Sequence, residues 1–342
     1  MLPLTTSTTC RLVPVGRVWR CDDDLGLVRV PSYALHQDQR GYLWIGSERG
    51  PIRFDGLAWE TPASLASLGA CIVRGFADAP GGALWVATDN AGVACIDLST
   101  TPYRITARLT TADGLPADMV GAVCVDGEGR VWAATTGGVA LIRDGRVRRC
   151  FGVADGLPSE RAWTLCRDHR DRIWVGTKGG LALIEGEAVV PVATAGADGE
   201  PRGVHVAHCD ARGRVLIGLV GGAVCRVVET ATGWALASLA ETGARVRALC
   251  PEADGRLWVG SSDGVLVLRE ADGAVDDTWA GADGLPVQGV WALCRDGDGR
   301  VWASTSAGLA LIAQPVPLAR PLPPFEGRLA IVPLRHLPSR GG

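Results

Sequence analysis

The chain has 342 residues, with 34 Lys+Arg against 37 Asp+Glu for a net charge of −3, and 47% of it is hydrophobic. That balance offers no basic patch for nucleic acid, and no apolar run approaches the ~18 residues of a membrane-spanning helix. Forty-six glycines and 20 prolines with only 6% aromatics suit many short strands joined by turns.

Residues 1–14 form a lead with neither a basic n-region nor an apolar h-region, so no signal peptide is read there. The run Gly16-Arg17-Val18-Trp19-Arg20-Cys21 then copies Gly145-Arg146-Val147-Arg148-Arg149-Cys150 further along. From there to residue 313 one unit repeats. Its anchor is a tryptophan, at Trp44, Trp85, Trp132, Trp174, Trp258 and Trp302, with Leu216 standing where the seventh would be. The anchors lie 41, 47, 42, 42, 42 and 44 residues apart. A period in this range, cut by glycines, marks a propeller or solenoid.

Around Trp174 the unit resolves into four strands, about Ala162–Arg167, Arg172–Thr177, Leu181–Glu185 and Ala188–Val192, an up-and-down antiparallel meander. Six residues before the anchor stands Asp38, Asp126, Asp168, Asp210, Glu252 or Asp296. Three before it stands Gly41, Gly82, Gly129, Gly213, Gly255 or Gly299, with Asp171 the exception. A carboxylate capping its own turn, followed by a residue at positive φ, suits a tight hairpin between the first two strands. After the anchor come a small residue and then a hydroxyl, as in Gly176-Thr177 and Ala134-Thr135. The anchor is expected to lie against the neighbouring blade, with the small residue making room for it.

A four-stranded sheet cannot bury both faces alone, whereas seven stacked around an axis bury them between neighbours. The expected fold is therefore an all-β, seven-bladed propeller over residues 15–313. After Leu309–Ala313 the chain enters a Pro-rich tail, 314–342, in which no ordinary fourth strand follows directly. The run at 16–21 is expected to supply that missing outer strand and close the ring. A strand-like stretch at Arg328–Leu334 could compete for the same edge.

Eight of the eleven cysteines recur at equivalent repeat positions, Cys124, Cys166, Cys250 and Cys294 at one, Cys95 and Cys225 at another and Cys21 and Cys150 at a third, so they point the same way and do not face one another. They read as free thiols in a reducing compartment.

Two motifs together resemble a known family: Gly-x-(Ile/Val/Leu)-Trp-(Ile/Val/Ala)-(Gly/Ala)-(Thr/Ser) followed by Gly-Leu, and the Asp-Gly-Leu-Pro loop at 113–116, 155–158 and 283–286. The pair is similar to the two-component regulator propeller repeat, best known from the ligand-sensing half of hybrid sensor kinases. The resemblance covers about residues 15–313 and implies a non-catalytic sensor. That family's propeller usually sits outside the cytoplasmic membrane, ahead of a membrane span and a kinase. This sequence shows no span, kinase motif or export signal, so a cytoplasmic location is expected, or a periplasmic one for a piece of a membrane sensor.

The position eleven before the anchor reads Tyr33, Arg74, Gly121, Trp163, His205, Arg247 and Trp291, while its neighbours on the strand stay small or apolar. Variation into Arg, Trp, Tyr and His at one place suggests a grafted site. Tyr33, Arg74, Trp163, His205, Arg247 and Trp291 are therefore the candidate ligand-binding residues. Aromatic faces beside guanidinium donors suit a sugar-like or anionic small molecule. The turns between the second and third strands add Glu48, Arg49, Asp89, Asn90, Lys178 and Asp263.

No Ser/His/Asp triad or metal cluster can be named, and neither cofactor nor metal is expected. His205 and His208 are near neighbours, but on a strand they face opposite sides. The partner is expected to be a small molecule or a separate signalling protein, and the chain a monomer. The alternatives are a protein-docking scaffold and a propeller enzyme like virginiamycin B lyase.

Overall fold

The computed structural model describes residues 6–22, 26, 30–194, 200–231, 233–286 and 289–312. The tail 314–342, with its strand-like stretch, lies outside these residues. The described chain is seven antiparallel sheets, each with an inner strand that starts twelve residues before its anchor. The fourth blade, for example, runs Ala162–Arg167, Ile173–Thr177, Gly180–Glu185 and Ala188–Val192. The seven-bladed propeller read from the repeats is the fold.

Each anchor packs towards the next blade, as its spacing implied. Trp85 shares a buried cluster with Val120, Val123 and Val131 of blade three, and Trp174 with Val204, Ala207 and Val215 of blade five. Trp44, Trp132, Trp258 and Trp302 do the same in their own clusters, and Leu216 replaces the indole with a smaller apolar plug against Val246 and Leu257. There is thus no single core. Seven cores lie between blades, and each strip of apolar side chains is buried only because a neighbour covers it.

The residue two after the anchor has a different role from the one expected. A Cβ on Gly176 would lie 2.4 Å from Thr164 and 2.8 Å from Val204, and one on Gly260 would lie 2.8 Å from Val290. The small residue makes room for the valine that opens the next blade's inner strand, rather than for the tryptophan.

The acid six before the anchor does more than cap its turn. Asp168 accepts from the backbone N–H of Arg170 and Arg172 through Oδ1, while Oδ2 accepts the Trp174 indole N–H at 2.9 Å and Arg172 Nε at 2.8 Å. Asp38, Asp126 and Asp296 bind their own indoles at 2.7–2.8 Å. The turn, the strand and the inter-blade plug are therefore fastened by one buried carboxylate. Position −3 takes positive φ even where glycine is missing: Asp171 stands at φ 64° and Gly129 at φ 76°.

Closure is by the N-terminal segment. Val18–Asp22 pairs with Gly308–Ile312, Trp19 opposite Leu311 and Arg20 opposite Ala310, so the last blade is built from both ends of the ring. Within the lead, Arg11–Val15 adds a fifth strand outside that blade, and Thr6–Thr9 adds one outside blade one by pairing with Ala58–Thr61. Arg17 locks the junction: it pairs with Asp277 at 2.6 Å and its guanidinium lies 3.9 Å from the centre of the Trp279 ring. Its backbone N–H also donates to Asp283 O at 2.7 Å, in one of the Asp-Gly-Leu-Pro loops.

Candidate functional site

The inner strands begin around the mouth of the central channel, on the face that carries the turns between second and third strands. Those turns are rigid for a local reason. The hydroxyl three after the anchor donates to the carbonyl of the glycine that opens the third strand, at 2.9 Å for Thr135–Gly138 and Thr177–Gly180. The same oxygen accepts the N–H two residues on, from Gly137 and Gly179.

Against this rim, the strand pairing slips by one residue at the same place in all seven blades. Val120 faces Thr135 and Ala122 faces Ala134, leaving Gly121 unmatched; the slip recurs at Tyr33, Arg74, Trp163, His205, Arg247 and Trp291. The position singled out by its variability is thus a β-bulge throughout. A bulge inserts one extra residue and re-aims its side chain, which lets it vary without disturbing the ladder.

All six candidate residues, with Gly121 as the seventh, line one cavity of about 580 Å³. They are organised in two arcs. Across blades six, seven, one and two, the Arg247 guanidinium lies 3.8 Å from the Trp291 ring centre, and Trp291 meets Tyr33 edge-on at 5.3 Å. The Arg74 guanidinium lies 4.5 Å from the Tyr33 ring. Across blades four and five, Trp163 and His205 sit 5.5 Å apart. Gly121 leaves an opening between Arg74 and Trp163, and its own Cβ would press on Trp163 O at 2.9 Å.

The electrostatics are unequal around the ring. Arg74 is paired with Asp89 at 2.9 Å. Arg247 has no carboxylate partner among the described residues, its Nε is buried without a hydrogen-bond partner, and burial followed by Arg245 pulls its pKa down. His205 carries a buried Nδ1 with no partner. Burial, then Arg245, Arg247 and Arg74, lower its pKa to about 4, so the imidazole is neutral at pH 7. The Trp291 indole donates to Ser306 Oγ at 3.0 Å.

Of the turn residues proposed from sequence, Asp89 reaches the cavity, whereas Glu48, Arg49, Asn90, Lys178 and Asp263 do not line it. Met119, Thr136 and Arg161 line it and were missed. Met119 and Arg161 share the position thirteen before the anchor, where Arg245 and Gly289 also stand. Its signal is the same departure into bulky, charged or absent side chains. His208 does not line the mouth. All eleven cysteines are free, and burial pushes those on the inner strands up, Cys124 and Cys250 to about 11 and Cys294 to about 12. They are protonated at neutral pH. Among the described residues no cluster of three or more His, Cys, Asp or Glu could hold a metal, and no helix is long and apolar enough to cross a membrane.

The sequence profile of the two component regulator propeller family matches residues 156–179, 241–263 and 284–307, the stretches from an Asp-Gly-Leu-Pro loop or its equivalent to the turn after the anchor. The resemblance read from the motifs is borne out there. Among solved structures, the extracellular domain of what is named a one component system of B. thetaiotaomicron matches at 18% identity and TM-score 0.71. The match covers 90% of this chain and 40% of that one. An extracellular domain of a hybrid two component system from the same organism matches at 18% identity and TM-score 0.67, over 83% and 40%. Virginiamycin B lyase from Staphylococcus aureus matches at 13% identity and TM-score 0.64, over 90% and 98%. The chain thus spans about 40% of the length of the first two. No curated protein sequence matches it. This is a seven-bladed propeller that carries two component regulator propeller repeats and shares its fold with the extracellular domains of such systems.

Proposed function

We propose that this propeller is a recognition domain of the two-component sensor type, binding a small sugar-like or anionic ligand at the mouth of its channel. The observation that carries the reading is the set of seven bulges. The one position freed from the strand ladder in every blade is also the one that holds Tyr, Arg, Trp, His, Arg and Trp around a single cavity. A merely structural rim would have no reason to repeat the bulge while varying its occupant.

The test is a melting-shift screen of small metabolites against the full chain, followed by the double variant Arg74→Ala, Arg247→Ala. A ligand should raise Tm for the native chain and not for the variant, whose own Tm stays close to native. A ligand indifferent to Arg74, Trp163, Arg247 and Trp291 alike would refute the site.

A lyase-type activity is the second reading. It is favoured by the match along nearly the whole of virginiamycin B lyase. Mass spectrometry of any bound compound after incubation would detect turnover.

A further inference from the structure

We infer that the mouth is a site for a ring-shaped carboxylic acid, with Arg247 as the charge-bearing anchor and Trp291 and Tyr33 as the apolar wall against which the ring packs. This deepens the ligand-binding reading above and rests on it.

Arg74, Arg161 and Arg247 line the cavity against the single carboxylate of Asp89, an excess of positive charge at one place in a chain whose net charge is −3. Asp89 already neutralises Arg74 at 2.9 Å. Arg161 and Arg245 are exposed at the rim, where water solvates them. Arg247 alone is a half-buried cation with no counter-charge among the described residues. Burying an unpaired charge, or a donor without an acceptor, is unfavourable, and folded proteins rarely leave either. A site that keeps both is prepared for a group that arrives from outside.

The Arg247 side chain is also held in place. One face of the guanidinium lies on Trp291 at 3.8 Å. Behind it is Gly289 at φ 93°, where a Cβ would sit 2.7 Å from Arg247 Nη1. The arginine is therefore a fixed fork rather than a solvated arm, the form in which guanidinium recognises a planar carboxylate through two parallel N–H donors. One unneutralised guanidinium matches one negative charge. Trp291 and Tyr33, edge to face, leave an aromatic wall suited to either a sugar ring or a benzene ring.

The experiment uses the full chain and follows the Arg247 Nε–H signal by NMR, assigned through its loss in Arg247→Lys. Benzoate and glucuronate are the acid probes, and benzamide and glucose are their neutral counterparts. At least one acid should shift the signal saturably, the neutral partners should leave it still, and which acid acts separates aromatic from sugar acids. By calorimetry Arg247→Gln should weaken that acid at least tenfold, and Arg74→Gln less than threefold. Gly289→Ala, which displaces the guanidinium without removing its charge, should weaken it as well. Binding of a neutral probe as tight as its acid would overturn the inference while leaving a mouth ligand in place. The inference also falls if neither acid moves the signal at 20 mM, or if Arg247→Gln binds as the native chain does. Loss of the mouth as a ligand site altogether would show separately, in the metabolite screen.

Discussion

His205 is an imidazole that folding makes hard to protonate. Burial comes first, then the charges of Arg245, Arg247 and Arg74, and together they hold it at about pKa 4 against about 6.5 in an unfolded chain. The unfolded state therefore binds the proton first as pH falls. Stability is full above pH 6.5 and is lost between 6.5 and 4, by at most about 3 kcal/mol. Denaturant melts at pH 7 and pH 4.5 should show this loss in the native chain, and His205→Gln should remove most of it. Asp126 and Asp168 act lower on the scale. Burial pushes each carboxyl up, but hydrogen bonds from the neighbouring indole and arginine outweigh it and leave the pKa lowered. Their contribution is present above the unfolded carboxylate pKa and disappears as pH falls through the folded one, so acid lowers the stability over two pH ranges. Trp174 tests the plug and the bond separately. Trp174→Ala should cost ~3–5 kcal/mol by emptying an inter-blade site. Trp174→Phe, which keeps most of the volume and loses the bond to Asp168, should cost ~1–3 kcal/mol; a loss under ~1 kcal/mol for the alanine variant would mean the anchor is dispensable. At this scale the sequence was legible where a position repeated or conspicuously failed to repeat. It could not reveal that Asp168 and Trp174 bond to each other, because a six-residue spacing across a turn has no periodicity of its own.

The strands were readable almost to the residue. Ala162–Arg167 and Ala188–Val192 fall where alternation and turn residues put them. Bulges were not readable, since one unmatched residue in a six-residue strand leaves the apolar pattern nearly intact. Nor was the role of the small residue after the anchor, which depends on how close the next blade comes. That closeness is testable. In Gly176→Ala the new Cβ meets Thr164 and Val204 inside van der Waals distance, so the blades must separate at a cost of ~1–3 kcal/mol. The same change at Gly186, whose Cβ would meet nothing within 4 Å, should be cheaper, limited to the strain of its φ of 62°. Equal losses at the two sites in urea melts would rule out inter-blade crowding as the cause.

Across the whole molecule, the seven inter-blade cores make each blade's stability depend on two neighbours, and the ring holds only if the last blade finds its outer strand. Deleting residues 1–22 would remove that strand, the fifth strand beside it and the fifth strand of blade one, exposing Leu309, Leu311 and the edge of Gly308–Ile312. Aggregation is the expected outcome, because a bare apolar edge pairs with whatever meets it. Arg17→Ala removes the lock on Asp277 and Trp279 but leaves the pairing. It should cost only ~1–2 kcal/mol, most of it from the ring contact. Closure from the N-terminus was legible because the run at 16–21 copies that at 145–150. The two additional strands at Thr6–Thr9 and Arg11–Val15 carry no repeat signature and were not.

That closing pair also sets an order of events during synthesis. Arg20 leaves the ribosome roughly 290 residues before Ala310, its partner, an interval of about 15–60 s at ordinary elongation rates. Throughout it, Val18, Trp19 and Cys21 have no sheet to join, and the blades made meanwhile stack as an open arc with an uncovered face at each end. The nascent chain must therefore be shielded, or stay loosely packed, until its final turn of sequence emerges. A permutant starting at Val30 and carrying residues 11–22 behind residue 312 turns this long-range pairing into a local one. It should refold faster at similar equilibrium stability.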